Sequence, residues 1–261
     1  MYTSHSDDRQ PVRPAGATLT AMTTLEVETP VGTARAESGP NGWTVTTDVG
    51  PGEASALETV LSATVEAIRR EGGGRIEYWI EDITDDSAGA GPERAGFRPY
   101  RDLWQLRIPL PVAAPTLITR GFTPADADDF LELNHRAFAW HPEQGRMTAE
   151  DLAERMAEPW FDPDGFLLHH DADGLAGFCW TKTHRDTDPP LGEIYVIAVD
   201  PDRHGRGLGE ALTRAGLTWL SRAGLRVGML FVESDNDRAN TTYRRIGFRH
   251  HQTNRAFECQ T

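Results

Sequence analysis

The residues with the plainest chemical signature are His204-Gly205-Arg206-Gly207-Leu208-Gly209, a glycine-rich turn that opens an amphipathic run beginning with Glu210. Before it stands Glu193-Ile-Tyr-Val-Ile-Ala-Val199, apolar on both faces like a central strand, followed by a turn at Asp200-Pro201. Glycines let such a loop fold back, so that backbone N–H groups converge at a helix N-terminus, where the helix dipole also favours an anion. Arg206 places a positive charge at the tip. Tight packing of a helix on a strand produces the same glycine pattern. No Lys-Ser/Thr pair follows the glycines, which argues against a P-loop triphosphate site, and no acidic ribose ligand with repeated parallel strands marks a dinucleotide fold. The histidines are scattered without HExxH spacing, and Cys179 and Cys259 are too few for a thiolate site. No metal is expected.

These residues need a scaffold, and the second half of the chain supplies one in order. Thr123-Pro124 reads as the capped start of a helix through Phe138. Thr148-Ala-Glu-Asp151 resembles a capping box for a short helix ending near Ala157. Gly165–His170 and Leu175–Lys182 read as strands joined by a turn at Asp171–Gly174, and a polar loop leads to the strand at Glu193–Val199. Helix and strand then alternate, which implies an α/β fold with a mixed sheet.

The two halves echo each other. Leu57, Val60, Leu61, Val65 and Ile68 form a helical stripe that ends at Gly72-Gly-Gly74 before the strand Arg75–Glu81. Leu208, Ala211, Leu212, Ala215 and Trp219 repeat the stripe, Gly224 ends it, and Gly228–Glu233 is the matching strand. Glu58 and Glu210, Gly72 and Gly224, and Glu81 and Glu233 are each 152 positions apart, and Gly96-Phe97 answers Gly247-Phe248 at 151. A constant offset through helix, turn and strand indicates a tandem duplication. The first copy has Gly52-Glu-Ala-Ser-Ala-Leu57 where the second has its glycine loop. Prolines at 109, 111 and 115 stiffen the stretch between the copies.

A formal charge of −14 repels nucleic acid and anionic membrane, so neither is an expected partner. No apolar run approaches the roughly 20 residues of a spanning helix, and Met1–Gly16 lacks the apolar core of a secretory signal. A reducing, cytoplasmic setting fits the two thiols.

The order of strand, glycine loop, amphipathic helix and second strand leading to Asn236 and Tyr243 resembles the GNAT acetyltransferase family over roughly Leu117–Glu258. His141-Pro-Glu-Gln-Gly145, Glu158-Pro-Trp-Phe-Asp-Pro-Asp-Gly165, Trp180-Thr-Lys182, Gly192-Glu-Ile-Tyr195, Val232-Glu-Ser-Asp-Asn236 and Thr242-Tyr-Arg-Arg-Ile-Gly-Phe248 resemble the mycothiol synthases, which have two tandem GNAT domains. The resemblance implies a tail at 1–16, a degenerate N-terminal GNAT domain at 17–111, a linker at 112–116 and a catalytic GNAT domain at 117–261. It implies acetyl-CoA as donor, held by Ile197, Ala198, Val199, His204, Gly205, Arg206, Gly207, Leu208, Gly209, Glu210, Asn236 and Arg238. His204 departs from the family's Gln or Arg, and the imidazole can donate in their place.

Glu193 would take the proton of the acceptor amine, Tyr243 would protonate the departing thiolate, and the Ile197 N–H would polarise the carbonyl. Glu143, Lys182, Glu193 and Phe231 fall at positions that touch the acceptor, with Phe231 where the family shows Tyr. The acceptor implied is a small molecule, the cysteinyl pseudo-disaccharide 1D-myo-inositol 2-(L-cysteinylamino)-2-deoxy-glucopyranoside, and the chain is expected to act as a monomer. Another acceptor amine (an aminoglycoside, a polyamine or a protein N-terminus) or a non-catalytic acetyl-CoA sensor are the competing readings. A sensor would have no need of Glu193 and Tyr243, and both are present.

Overall fold

The computed structural model describes residues 23–50, 52–84, 86–139 and 144–261; the expected tail at 1–16 lies outside them. These residues fall into two compact units, Leu110–Arg226 and the remainder, residues 23–109 with Val227–Thr261.

The latter unit begins with an antiparallel meander, β1 (Thr24–Thr29), β2 (Gly32–Gly39) and β3 (Gly42–Thr47). The helix α1 (Ala54–Arg70) buries Leu57, Val60, Leu61, Val65 and Ile68, the stripe expected from spacing. Thr64 joins them, its hydroxyl donating to the Val60 carbonyl at 2.8 Å so that no polar atom is stranded. Their partners are Trp43, Val45, Ile76 and Tyr78 on the sheet. The strand β4 (Arg75–Ile80) runs parallel to β3 over Trp43–Val45, after which come α2 (Ala90–Arg94) and the long β5 (Arg98–Pro109). Pro109 is the last residue of β5, where a missing N–H costs the ladder nothing.

The unit Leu110–Arg226 is a four-stranded antiparallel sheet in chain order: β6 (Arg120–Gly121), β7 (Phe166–Asp171), β8 (Gly174–His184) and β9 (Leu191–Val199). The helix expected from Pro124 starts as a 3-10 turn, Pro124–Asp126, and becomes α3 (Ala127–Ala137) afterwards. The turn is tightened by Asp126, whose Oδ2 accepts from the Thr123 N–H at 2.8 Å and hydroxyl at 2.7 Å, while Arg120 holds both carboxylate oxygens. The capping box at Thr148 and Asp151 opens α4 (Ala149–Met156). Phe130, Phe166, Phe178 and Trp180 fill the core beneath, with Phe166 stacked on Trp180 at 4.3 Å between ring centres.

Over β8 and β9 lies α5 (Leu208–Arg222), and its buried face differs from the expected stripe. Leu212 and Ala215 are buried as expected, but Leu208, Ala211 and Trp219 are only partly covered, and Thr213, Gly216, Leu217 and Leu220 take the centre. The cause is Gly216: a Cβ there would lie 2.5 Å from Cys179 Sγ and 2.7 Å from Ile194 Cδ1. A residue without a side chain lets the helix come down closest at that point, which rotates the contact face around it.

After Arg226 the chain returns to the other unit as β10 (Val227–Glu233), α6 (Asp237–Ile246) and β11 (Arg249–Gln260). The sheet there reads β1-β2-β3-β4-β11-β5-β10. Its last four strands obey the sequence repeat. Arg75 pairs with Gln260 and Ile80 with Arg255, while the positions one repeat away, Val227 with Pro109 and Val232 with Trp104, pair in the same way. Between them, β5 and β11 pair with each other, Arg107 opposite Arg249 and Arg98 opposite Glu258. Each copy's closing strand is therefore flanked by strands of the other copy.

Candidate active site

The chemistry anticipated from the sequence divides between the units. In Leu110–Arg226 the strand β9 delivers the chain through a 3-10 turn, Pro201–Arg203, into the glycine loop and α5. Gly205 and Gly207 sit at φ +82° and +77°, a backbone region that side-chain-bearing residues resist, and Gly207 is the N-cap of α5. No side chain caps this helix among the described residues, and its first return bond runs from the Ala211 N–H to the Gly207 carbonyl at 3.1 Å. The N–H groups of Leu208 and Gly209 precede that bond, at a glycine-lined helix mouth. A Cβ on Gly205 or Gly207 would meet no atom within 4 Å, so the cradle is open. These residues fit a diphosphate.

His204 Nε2 lies 3.1 Å from the Val199 carbonyl, folding the imidazole back onto the end of β9. Arg206 is exposed at the tip. Glu210 accepts from Arg214 one turn along at 3.0 and 3.1 Å, a helix-surface pair. The turn beneath the loop is fixed by Asp200, 2% exposed, whose carboxylate accepts from the Asp202 N–H at 3.0 Å and from the guanidinium groups of Arg136 and Arg203.

Glu193 is buried on β9, directly opposite Lys182 of β8 in the antiparallel register. Its Oε2 is 2.7 Å from Nε2 of His184. The pairing of β8 with β9 slips by one residue at Tyr195, so that Trp180 faces Val196 while Thr181 faces Ile194. Such a bulge kinks the strand and re-aims its side chains, here setting Tyr195 towards Trp160 and Trp180 at 5.1 and 5.6 Å between ring centres. The Lys182 ammonium stands 5.0 Å above Trp160 and 5.8 Å from the Tyr195 ring. Arg155 donates to the Tyr195 hydroxyl at 3.0 Å. Burial, helped by the charges of Glu193 and Glu158, pushes the Tyr195 phenol up against the opposing pull of Arg155, so it stays protonated at neutral pH.

The other unit holds the rest. Asn236 is the N-cap of α6, its side chain accepting from the Ala239 N–H at 3.1 Å, and Arg238 is exposed one residue into that helix's first turn. Tyr243 lies on the buried side of α6, edge-on to Phe248 at 5.6 Å. Asn240 donates to the Glu233 and Ser234 carbonyls, and its own Oδ1 is a buried acceptor with no hydrogen-bond partner among the described residues. Phe231 is half-buried on β10 opposite Gln105. Glu143 lies outside the described residues.

Sequence reasoning missed His184, Trp160 and Arg155. His184 stands two residues past Lys182 on the same strand and so shares its face, but only the β8–β9 register brings that face to Glu193. Among the described residues no group of three or more His, Cys, Asp or Glu could hold a metal, and no helix is long and apolar enough to cross a membrane.

The profile of the Acetyltransferase (GNAT) family matches residues 128–248. A mycothiol acetyltransferase of Actinosynnema mirum is 44% identical over 209 residues, covering 77% of this chain and 69% of the relative. One from Salinispora arenicola is 48% identical over 196 residues, covering 71% and 64%. The chain thus spans about two thirds of the length of these curated relatives. A GCN5-related N-acetyltransferase from Sphaerobacter thermophilus superposes with a TM-score of 0.73 at 23% identity, covering 88% of this chain and 76% of that one. A tandem GNAT protein from the clavulanic acid biosynthesis pathway gives 0.64 at 18%, covering 92% and 84%. These two show a shared GNAT fold, α/β with a mixed sheet. With an open anion cradle at the end of β9 and this degree of identity, the chain belongs to the mycothiol acetyltransferases of the GNAT family.

Proposed function

We propose that this chain is an acetyl-CoA-dependent N-acetyltransferase that acetylates the cysteinyl amine of 1D-myo-inositol 2-(L-cysteinylamino)-2-deoxy-glucopyranoside to give mycothiol. The observation that carries the reading is the buried Glu193 on a bulged strand that leads through one 3-10 turn into a glycine-lined helix mouth with no side-chain cap among the described residues, in a chain 41–48% identical to mycothiol acetyltransferases.

Acetyl-CoA, when bound, supplies an acetyl group activated as a thioester. Backbone N–H groups of the Gly205–Glu210 loop would hold its diphosphate with Arg206 alongside, Asn236 and Arg238 would help seat it, and the backbone of Ile197–Val199 would receive the pantetheine arm. The remaining work falls to protons. An α-amino group has a pKa of about 7.7–8.0, so a carboxylate suffices to take its proton near neutral pH. Glu193 takes it at Oε1, directly or through one water. Tyr243 Oη gives its proton to the leaving thiolate, a transfer uphill by about 1.5 pK units on ordinary phenol and thiol values, and takes a proton back from solvent. The Ile197 N–H polarises the carbonyl. Lys182 and Glu143 donate and accept at the acceptor's hydroxyls and ammonium, and Phe231 offers an apolar wall.

The N-terminal copy is read as a reduced GNAT domain that binds no coenzyme. Glu53 stands at the N-cap of α1 in place of a glycine loop, and beside the short β3–β4 pairing the buried Tyr78 bonds through its hydroxyl to Thr47 Oγ1 at 3.2 Å. The chain acts in the cytoplasm as a monomer.

The test is a mass-spectrometric assay of acetyl transfer from acetyl-CoA to the cysteinyl pseudo-disaccharide, run beside an aminoglycoside, a polyamine and a peptide N-terminus. A gain of one acetyl group on the first acceptor alone is expected. Transfer only to one of the others removes the proposed substrate, and transfer to none removes the enzyme.

A further inference from the structure

Nothing so far gives His184 a task, and its position is specific. It is the last residue of β8, 17% exposed at the side chain, and its Nε2 lies 2.7 Å from Oε2 of a Glu193 side chain that is itself 10% exposed. A carboxylate this far from water requires donors, because burying an unpaired charge is costly. An ionised carboxylate can only accept, so the hydrogen between them belongs to Nε2. The pair is held on both sides. Thr187 Oγ1 donates to the His184 carbonyl at 3.1 Å, His184 faces Leu191 across the ladder, and Gly192 beside Glu193 is pressed by Leu220 and Leu225. Among the described residues, the other charged or titratable groups near Glu193 include Lys182, opposite it on β8, and Tyr195 on β9 with its neighbours Arg155 and Glu158.

We infer that His184 is a positioning residue: its Nε2–H pins Oε2 of Glu193 and leaves Oε1, the oxygen without that bond, to take a proton from an incoming amine. The inference rests on the reading of Glu193 as the base. The hydrogen bond survives the reaction, since a carboxylic acid protonated at Oε1 still accepts at Oε2, so the carboxyl group does not swing between turnovers. Accurate placement of a base matters because a displacement of about 1 Å can cost about a hundred-fold in rate.

Three measurements on the full chain decide it. His184→Ala is expected to lower kcat ten- to a hundred-fold with the KM for acetyl-CoA unchanged, and His184→Gln, whose amide Nε2 can donate to the same oxygen, to recover most of the loss. In a Glu193→Ala background His184→Ala should cause no further loss. Full activity of His184→Ala, failure of the Gln variant to recover, or an equal loss in the Glu193→Ala background each overturns the inference. Independently of turnover, nitrogen-15 NMR of the parent should show a slowly exchanging Hε2 on His184 that disappears in Glu193→Ala; an Hδ1 tautomer in the parent also overturns it. A parent chain that transfers no acetyl group sinks the proposed activity instead, while the NMR result still decides the pair.

Discussion

Arg203 and Asp171 form a two-pronged pair: Nε lies 2.7 Å from Oδ2 and Nη2 3.0 Å from Oδ1. Asp171 ends β7 and Arg203 ends the turn before the glycine loop, so the pair ties the root of that loop to the β7–β8 hairpin. Both prongs and the charge would be lost in Arg203→Ala, and a two-pronged guanidinium–carboxylate pair fixes geometry as well as charge. Coenzyme affinity is expected to fall about ten-fold, with the chain still folded, as measured by isothermal titration of coenzyme A. Undiminished affinity would show that the loop holds its shape without the clamp.

Glu193→Gln keeps the shape and removes the proposed base. The turnover loss should be about 10²–10⁴-fold below neutral pH and shrink as pH rises through about 8, where the acceptor amine sheds its proton unaided. A pH–rate profile parallel to the parent's would take Glu193 out of this role.

Tyr243→Phe removes one hydroxyl from a ring already packed on Phe248. The fold and the coenzyme affinity are expected to persist while kcat drops about a hundred-fold. Retained kcat would leave Tyr243 as packing only.

Gly216→Ala sets two effects against each other. Alanine favours the helix by up to about 1 kcal/mol, but its methyl group would intrude on Cys179 Sγ at 2.5 Å and Ile194 Cδ1 at 2.7 Å. Overpacking costs about 1–3 kcal/mol, so the clash wins and urea unfolding should show net destabilisation. A more stable variant would mean that α5 is free to lift from the sheet.

Acid should loosen the start of α3. Hydrogen bonds from Arg120, then from Thr123, hold the Asp126 carboxyl far below its ordinary 3.8. A depressed folded-state value means that the stabilisation is complete above the unfolded value and is lost as pH falls through the folded one. Asp126→Asn should therefore reduce stability at pH 7 by about 1 kcal/mol, the scale of a helix cap, and the difference from the parent should narrow below pH 4. Equal acid sensitivity of the two proteins would contradict the assignment.

Much of this was legible in the chain. The α1 stripe from Leu57 to Ile68, the capping box at Thr148 and the repeat offset are local or periodic signals, and each was found in place. The meander β1–β3 escaped because its strands are short and half exposed, so their alternation is carried by few large apolar residues. The face of α5 was misread because a helix contact centred on glycine leaves no hydrophobic mark in sequence. His184 was overlooked for a different reason: its partner comes from the neighbouring strand, and the register that joins them is set by a bulge at Tyr195. The insertion of β11 between β4 and β5 is likewise a matter of long-range pairing, which periodicity does not encode.

That insertion has a consequence for biogenesis. As the ribosome releases the first hundred or so residues, β4 and β5 emerge with the strand that belongs between them still unsynthesised, so their backbone donors and acceptors stand open to any foreign strand. The early-made half must therefore wait for Arg249–Gln260 before it can close, and a message cut short after the α5 codons would yield an aggregation-prone product rather than a smaller working one.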